Sequence, residues 1–247
     1  MKPGTRDSLP AESIQPEVPL RDDSSRVFIA PFSRKPVQLD GLLLEDVWRR
    51  APAYSMGLPS CRLHGGRQME EGGKVSFAWD AQCFYMGIEL EDSDIVAEGS
   101  EDGQLHKSLG DCCELLIKPE DRTWYWELHV TPSGRKTTLF FPGRGRLVLP
   151  SCYQRESGLR VAARCEGTLN DWRDRDHGWS AEMAMPIAEL TARGERFEPG
   201  TAWRVLVGRY NYSRYLRTRG PELTSVPQLT EVDFHRFEEY ARLELVR

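Results

Sequence analysis

No run in this 247-residue chain approaches the ~20 consecutive apolar residues of a helical membrane span, so a helical integral membrane protein is excluded. A basic surplus is missing too. Thirty-three lysines and arginines stand against 38 acidic residues, for a net charge of −5, whereas duplex nucleic-acid binders normally carry a basic excess. The six cysteines include no CxxC pair, which removes the usual zinc and dithiol signatures. There is no GxSxG elbow, no GxxxxGK[ST] phosphate loop and no CxxCH haem attachment. Long helical periodicity is absent as well. Leu44–Arg50, stopped by Pro52, and Pro186–Ala192, with proline in a first helical position and Gly194 beyond, are the two short helical candidates.

Strand patterns fill the rest. Val75–Trp79 and Phe84–Leu90 read as a hairpin around Asp80-Ala81-Gln82-Cys83, with Asp80 orienting the turn. Cys112–Ile117, Thr123–Val130, Lys136–Phe141, Arg160–Cys165, Trp179–Met185, Trp203–Tyr212 and Ala241–Val246 continue the series, separated by Gly, Pro, Asn and Asp clusters. Strands without long intervening helices predict an all-β antiparallel sandwich of two packed sheets with one or two short helices. No internal repeat or second core is evident, so residues 26–247 form one domain. Residues 1–25, rich in Pro, Ser, Asp and Glu, read as an extended or disordered arm without the apolar core of a signal peptide. The location is left unknown, with the cytoplasm as the default and secretion open.

Alternation within strands sorts the candidate residues. Trp126, Leu128 and Val130 share one face of their strand, and Tyr125, Glu127 and His129 the other. In Trp203–Tyr212, Val205, Val207, Arg209 and Asn211 share a face opposite Leu206, Gly208, Tyr210 and Tyr212. Adjacent Cys112 and Cys113 point to opposite faces, and all six cysteines read as buried free thiols. Trp79 reads as core and Trp48 as a plug at one end of the sandwich. Charge is uneven: 89–121 holds eleven acidic residues and two lysines, while 204–219 holds five arginines and no acid. These are either solvated loops of opposite sign or the rim of a polar pocket. Glu91, Asp92 and Asp94 are weak candidates for a structural calcium, without EF-hand spacing. No other metal or cofactor is expected.

Seven fragments, in order, resemble the family 9 carbohydrate-binding modules. They are Leu39-Asp40-Gly41 with Asp46-Val47-Trp48; Val75–Asp80 with Phe84–Met86; Leu90-Glu91-Asp92; Gly110–Ile117; Tyr125–Gly134; Glu182–Pro186 with Leu190; and Phe234-His235 with Tyr240–Leu243. The family is similar in architecture to the wider DOMON-like group, whose members bind sugars or haem on a β-sandwich. The resemblance implies a non-catalytic domain that holds a mono- or oligosaccharide, or a polysaccharide end, in a shallow groove. It makes Glu114 and His129 sugar contacts, with Tyr125 beside them. Arg209 and Asn211 are expected at the edge of the same groove, where they could fork to hydroxyls. The family's usual pair of stacking tryptophans is missing: His106 and Phe234 stand nearest the two slots, and His235 reads as structural. Three alternatives stay open: an interaction domain with a degenerate sugar site, a part of a glycoside hydrolase system, and haem held by Met86, Met183, Met185 or His129. Carbohydrate is the expected partner, with no nucleic acid and no membrane span; protein partners are unknown.

Overall fold

The computed structural model describes residues 26–147 and 149–247. The arm expected over 1–25 lies outside the described residues.

Two sheets pack face to face. The first contains β1 (Val27–Pro31), β5 (Cys112–Pro119), β6 (Tyr125–Val130), β7 (Lys136–Phe141), β10 (Trp203–Asn211), β11 (Glu222–Val226) and β12 (Ala241–Val246). Its strand order is β1-β12-β10-β5-β6-β7, with β11 also paired to β10. The second contains β2 (Tyr54–Ser55), β3 (Gly73–Trp79), β4 (Cys83–Glu91), β8 (Arg160–Glu166) and β9 (Gly178–Pro186), in the order β2-β3-β4-β9-β8. Three short helices, α1 (Asp46–Arg50), α2 (Ser60–His64) and α3 (Ile187–Leu190), sit in the connections. The all-β sandwich is therefore present, with one helix more than expected.

One pairing departs from the antiparallel expectation: β1 runs parallel to β12, Val27 opposite Arg242 through Pro31 opposite Val246. This needs no local crossover, because the partners come from the two ends of the chain. β10 divides its partners. Trp203–Val205 pair with β12 and Val207–Asn211 with β11.

The core lies between the sheets. From β5 it takes Cys113, Leu115 and Ile117, from β6 Trp126, Leu128 and Val130, and from the other sheet Phe77, Phe84, Met86, Met183 and Met185. An aromatic ladder crosses it, Phe28–Phe77 at 5.6 Å, Phe77–Phe84 at 5.9 Å and Phe84–Phe197 at 5.3 Å between ring centroids. Each such ring contributes roughly 1.5–3 kcal/mol by leaving water. Trp79 lies in this core as expected. The three methionines are core as well, on the opposite side of the seven-stranded sheet from His129, so they cannot flank one haem with it. Asp80 closes the β3–β4 hairpin: its Oδ1 accepts the amides of Gln82 and Cys83, both at 2.7 Å, and its Oδ2 accepts the Tyr85 hydroxyl at 2.7 Å.

Both sheets are also covered on their outer faces. On the five-stranded sheet, Trp48 packs with Val37, Ala78, Tyr85 and Ala184. It covers a face and does not plug an end. On the seven-stranded sheet, Leu116, Tyr125, Leu139, Phe141, Leu206, Phe234 and Tyr240 form a second apolar layer. Each cover rests on a glycine in a central strand. A Cβ on Gly87 would stand 2.6 Å from Leu43, and one on Gly208 2.5 Å from the Phe234 ring, distances that atoms do not share without displacement. The double cover explains why Cys112–Ile117 is apolar at every position but Glu114, in a strand buried on both faces. All six cysteines are free; Cys61 and Cys165 are half-buried, where all six were expected buried.

Candidate functional site

Glu114 on β5 and His129 on β6 are direct cross-strand partners. Side-chain alternation places Glu127, two residues before His129, on the same outer face. The three converge so closely that one oxygen or nitrogen from each lies within 4.8 Å of the others. His129 Nε2 donates to Glu127 Oε1 at 2.7 Å and stands 3.3 Å from Glu114 Oε2. Lys107 Nζ closes the group, 3.1 Å from Glu127 and 3.5 Å from Glu114, with the Tyr210 ring 5.7 Å away. His235 approaches from the far side, its Nε2 3.8 Å from Glu127 and its Nδ1 2.9 Å from the Tyr125 hydroxyl.

Electrostatics follow from this geometry. Burial alone would lower the His129 pKa, but hydrogen bonds and charges from Glu114 and Glu127 raise it to about 9. Burial alone would raise Glu127, yet the hydrogen bond to His129 and the charges of His129, Lys107 and His235 pull it down to about 2. The ammonium of Lys107, which burial would disfavour, is held above its ordinary value by Glu114 and Glu127. Two carboxyl groups thus meet a lysine and a histidine in one buried cluster. Its hydrogen bonding is nevertheless incomplete. Glu114 Oε1, Glu127 Oε2 and His129 Nδ1 are buried without a hydrogen-bond partner among the described residues. Such groups ordinarily find one.

The expected open trough is corrected. Glu114, His129 and Tyr125 do face one another, but each is 0% exposed, because the segments around Cys152 and Phe234 lie over them. Phe234 is buried against Tyr210, with centroids 5.5 Å apart, and offers no free stacking face. His106 is buried in a single 3-10 turn, with its Nε2 unpartnered; burial and the nearby His129 charge lower its pKa. The following residue, Lys107, is the one that reaches the cluster. It was missed, although it is one of the two lysines in the acid-rich stretch 89–121.

Arg209 and Asn211 do not belong to this face. Arg209 is opposite Cys113 in register, toward the interior of the sandwich. Its guanidinium donates to the carbonyls of Gly72 and Glu91 and pairs with Asp92 at 3.2 Å. Asn211 donates to Glu71 Oε2 at 2.6 Å. The calcium candidates serve the chain's own donors. Glu91 accepts the Gly72 amide, Asp92 the Asp94 amide and Arg209, and Asp94 the Arg214 amide. Among the described residues, the group of three able to gather round a metal is instead Glu114, Glu127 and His129. Open grooves lie elsewhere, one of about 620 Å³ beside Lys74, Glu89, Glu91, Arg164 and His177.

No family model matches the chain, and no curated protein matches it. Six solved chains do. An inferred carbohydrate-binding protein of Bacteroides uniformis is 11% identical with a TM-score of 0.66, over 89% of this chain and 99% of its own. A family 9 carbohydrate-binding module of Caldicellulosiruptor kristjanssonii in complex with cellotriose is 14% identical with a TM-score of 0.58, over 89% and 93%. A family 9 carbohydrate-binding module from the same organism in complex with glucose is 14% identical with a TM-score of 0.56, over 90% and 96%. The fold of this chain is thus that of the family 9 modules.

Proposed function

We propose that the protein binds carbohydrate without transforming it, at the rim where Lys107, Tyr210 and His235 open onto the Glu114–Glu127–His129 cluster. One observation carries the reading: buried carboxylate and imidazole atoms with unfilled hydrogen-bonding capacity converge beside a mostly buried, partly accessible rim formed by Lys107, Tyr210 and His235. A sugar suits such a place, since its hydroxyls both donate and accept while its C–H face packs on a ring. Unpaired buried polar atoms cost about 1–3 kcal/mol each, which a hydroxyl would recover. The family 9 complexes with glucose and cellotriose support the ligand class.

Catalysis is disfavoured by the same geometry. A glycosidase needs one carboxylic acid held protonated and room for the scissile bond between two carboxyl groups. Glu127 is instead driven low, and His129 and Lys107 occupy the intervening space.

Calorimetric titration with glucose and cellotriose tests the reading. Micromolar to millimolar affinity is expected, lost in Lys107→Met and in Glu114→Gln. If no neutral sugar binds at millimolar concentration, the closed cover marks a degenerate site, and the sandwich acts as an interaction domain. The complete burial of Glu114 and His129 favours that second reading.

A further inference from the structure

Of the seven tryptophans, six are buried or half-buried and one is not: Trp172, in the β8–β9 connection, is 66% exposed. It does not stand alone. The guanidinium of Arg214 lies 5.7 Å from the Trp172 ring and 4.4 Å from the ring of Tyr215, itself 37% exposed. Arg175 lies 5.0 Å from the same Tyr215 ring. Aromatic and cationic groups thus alternate along one surface, in the order Trp172, Arg214, Tyr215, Arg175.

The array is braced from beneath. Asp94, buried, accepts the Arg214 amide at 2.8 Å. Asp176, buried, accepts the amides of Thr168 and Ile95, each at 2.7 Å, and so ties the Trp172 loop to the 92–97 segment. Ser213 meets Ser93 at 2.9 Å, and the Tyr215 hydroxyl donates to the Asp174 carbonyl at 3.1 Å. The acidic stretch that looked like a calcium site thus holds up an arginine-rich one. Arg173 is neutralised by Asp171, but Arg175 and Arg214 have no carboxylate partner among the described residues. Arg214 donates one N–H to the Tyr215 hydroxyl, and its remaining N–H groups, with those of Arg175, are left for a planar anion.

We propose that Trp172, Arg214, Tyr215 and Arg175 form a second carbohydrate-binding surface, selective for an acidic glycan built of hexuronate units. The sugar's C–H face would lie on Trp172 while its carboxylate takes the edge of Arg214 or Arg175. This surface uses none of the residues of the Lys107 rim, and the two stand or fall separately. A chain of net charge −5 is a poor general binder of polyanions, so the selection comes from the stacking geometry together with the local charge.

The test is titration of the intact protein with trigalacturonate, its methyl ester, a sulfated oligosaccharide and single-stranded DNA, followed by tryptophan emission. Trp172 is the exposed fluorophore, so trigalacturonate should shift the emission and protect it from acrylamide. Trp172→Ala should abolish the signal, and by calorimetry Trp172→Ala and Arg214→Ala should each weaken binding at least tenfold. Added salt should weaken binding, and the methyl ester should bind at least tenfold more weakly. Trp172→Ala should leave glucose titration unchanged, which separates this surface from the rim. Failure of trigalacturonate to bind, equal affinity for the ester or for DNA, preference for the sulfated sugar, or wild-type affinity in Arg214→Ala would each overturn the proposal.

Discussion

Two buried carboxylates, one on each sheet's outer face, show how the same residue type serves different ends. Glu182 on β9 sits beneath α1 and the loop before it. Its Oε2 accepts the amides of Asp40 and Gly41 at 2.9 and 3.0 Å, and its Oε1 accepts the indole N–H of Trp48 at 2.8 Å. Both oxygens are filled by the chain, and the carboxylate fastens a cover to a sheet. Glu114 on β5 sits under an equally close cover, but its Oε1 has no partner. Its neighbours are a lysine and a histidine that themselves reach toward solvent or lack a partner. Burial does not separate the two, since both are 0% exposed. Completeness of hydrogen bonding does: the saturated carboxylate is a fold device, and the unsaturated one keeps capacity for a further donor.

The largest effect belongs to the saturated side. Glu182→Ala leaves two amides and an indole N–H without their acceptor, so denaturant unfolding should show a loss of about 3–5 kcal/mol. A loss under about 1 kcal/mol would mean that Glu182 and Glu114 are not different in kind.

Next comes the pH dependence of the unsaturated side. His129 is raised in the folded protein to about 9 from an ordinary 6.5, so its contribution is fully present below pH 6.5 and is lost as pH rises through 9. The full effect is on the order of 3 kcal/mol. Glu127 works in the other sense: lowered to about 2, it contributes above its ordinary 4.5 and loses that contribution only as the medium becomes strongly acidic. Thermal melts should therefore decline from pH 6.5 to 9, and His129→Asn should flatten that decline. An unchanged slope in the variant would assign it to another group.

Gly208→Ala probes the cover itself. The added methyl must push Phe234 aside, at a cost of about 1–3 kcal/mol. If the rim opens onto the cluster, the displaced ring should speed hydrogen exchange of the 227–240 segment. The smallest change is Glu114→Gln, which keeps shape and most contacts and should cost about 1 kcal/mol or less. If the proposed function holds, its larger consequence should be the loss of sugar affinity, a pairing of small stability effect and large binding effect that Glu182 should not show.

Much of the architecture was legible in the chain. Nine strands follow from runs of Val, Ile, Leu and aromatics between turn residues, and the Asp80 hairpin from its own local chemistry. Three strands were not legible. β1 lies directly after a polar arm and ends in proline, β2 is two residues long, and β11 (ELTSV) is too polar to stand out. β1 is held by a partner distant in sequence, β12, whereas β2 and β11 pair with the strands next to them in the chain, β3 and β10. The candidate site divides in the same way. That Glu114 and His129 share a face follows from alternation and the resemblance, whereas the departure of Arg209 and Asn211 depends on which face of β10 meets the core. Trp172 carried no signal, because an exposed indole and a buried one are the same letter.

The chain by itself determined the strands, the turns and which side chains alternate together, because these depend on periodicity and on residues a few positions apart. The tertiary structure alone decided which faces are covered, which carboxylates are saturated and which aromatic ring meets water, because those outcomes depend on loops returning from a hundred residues away.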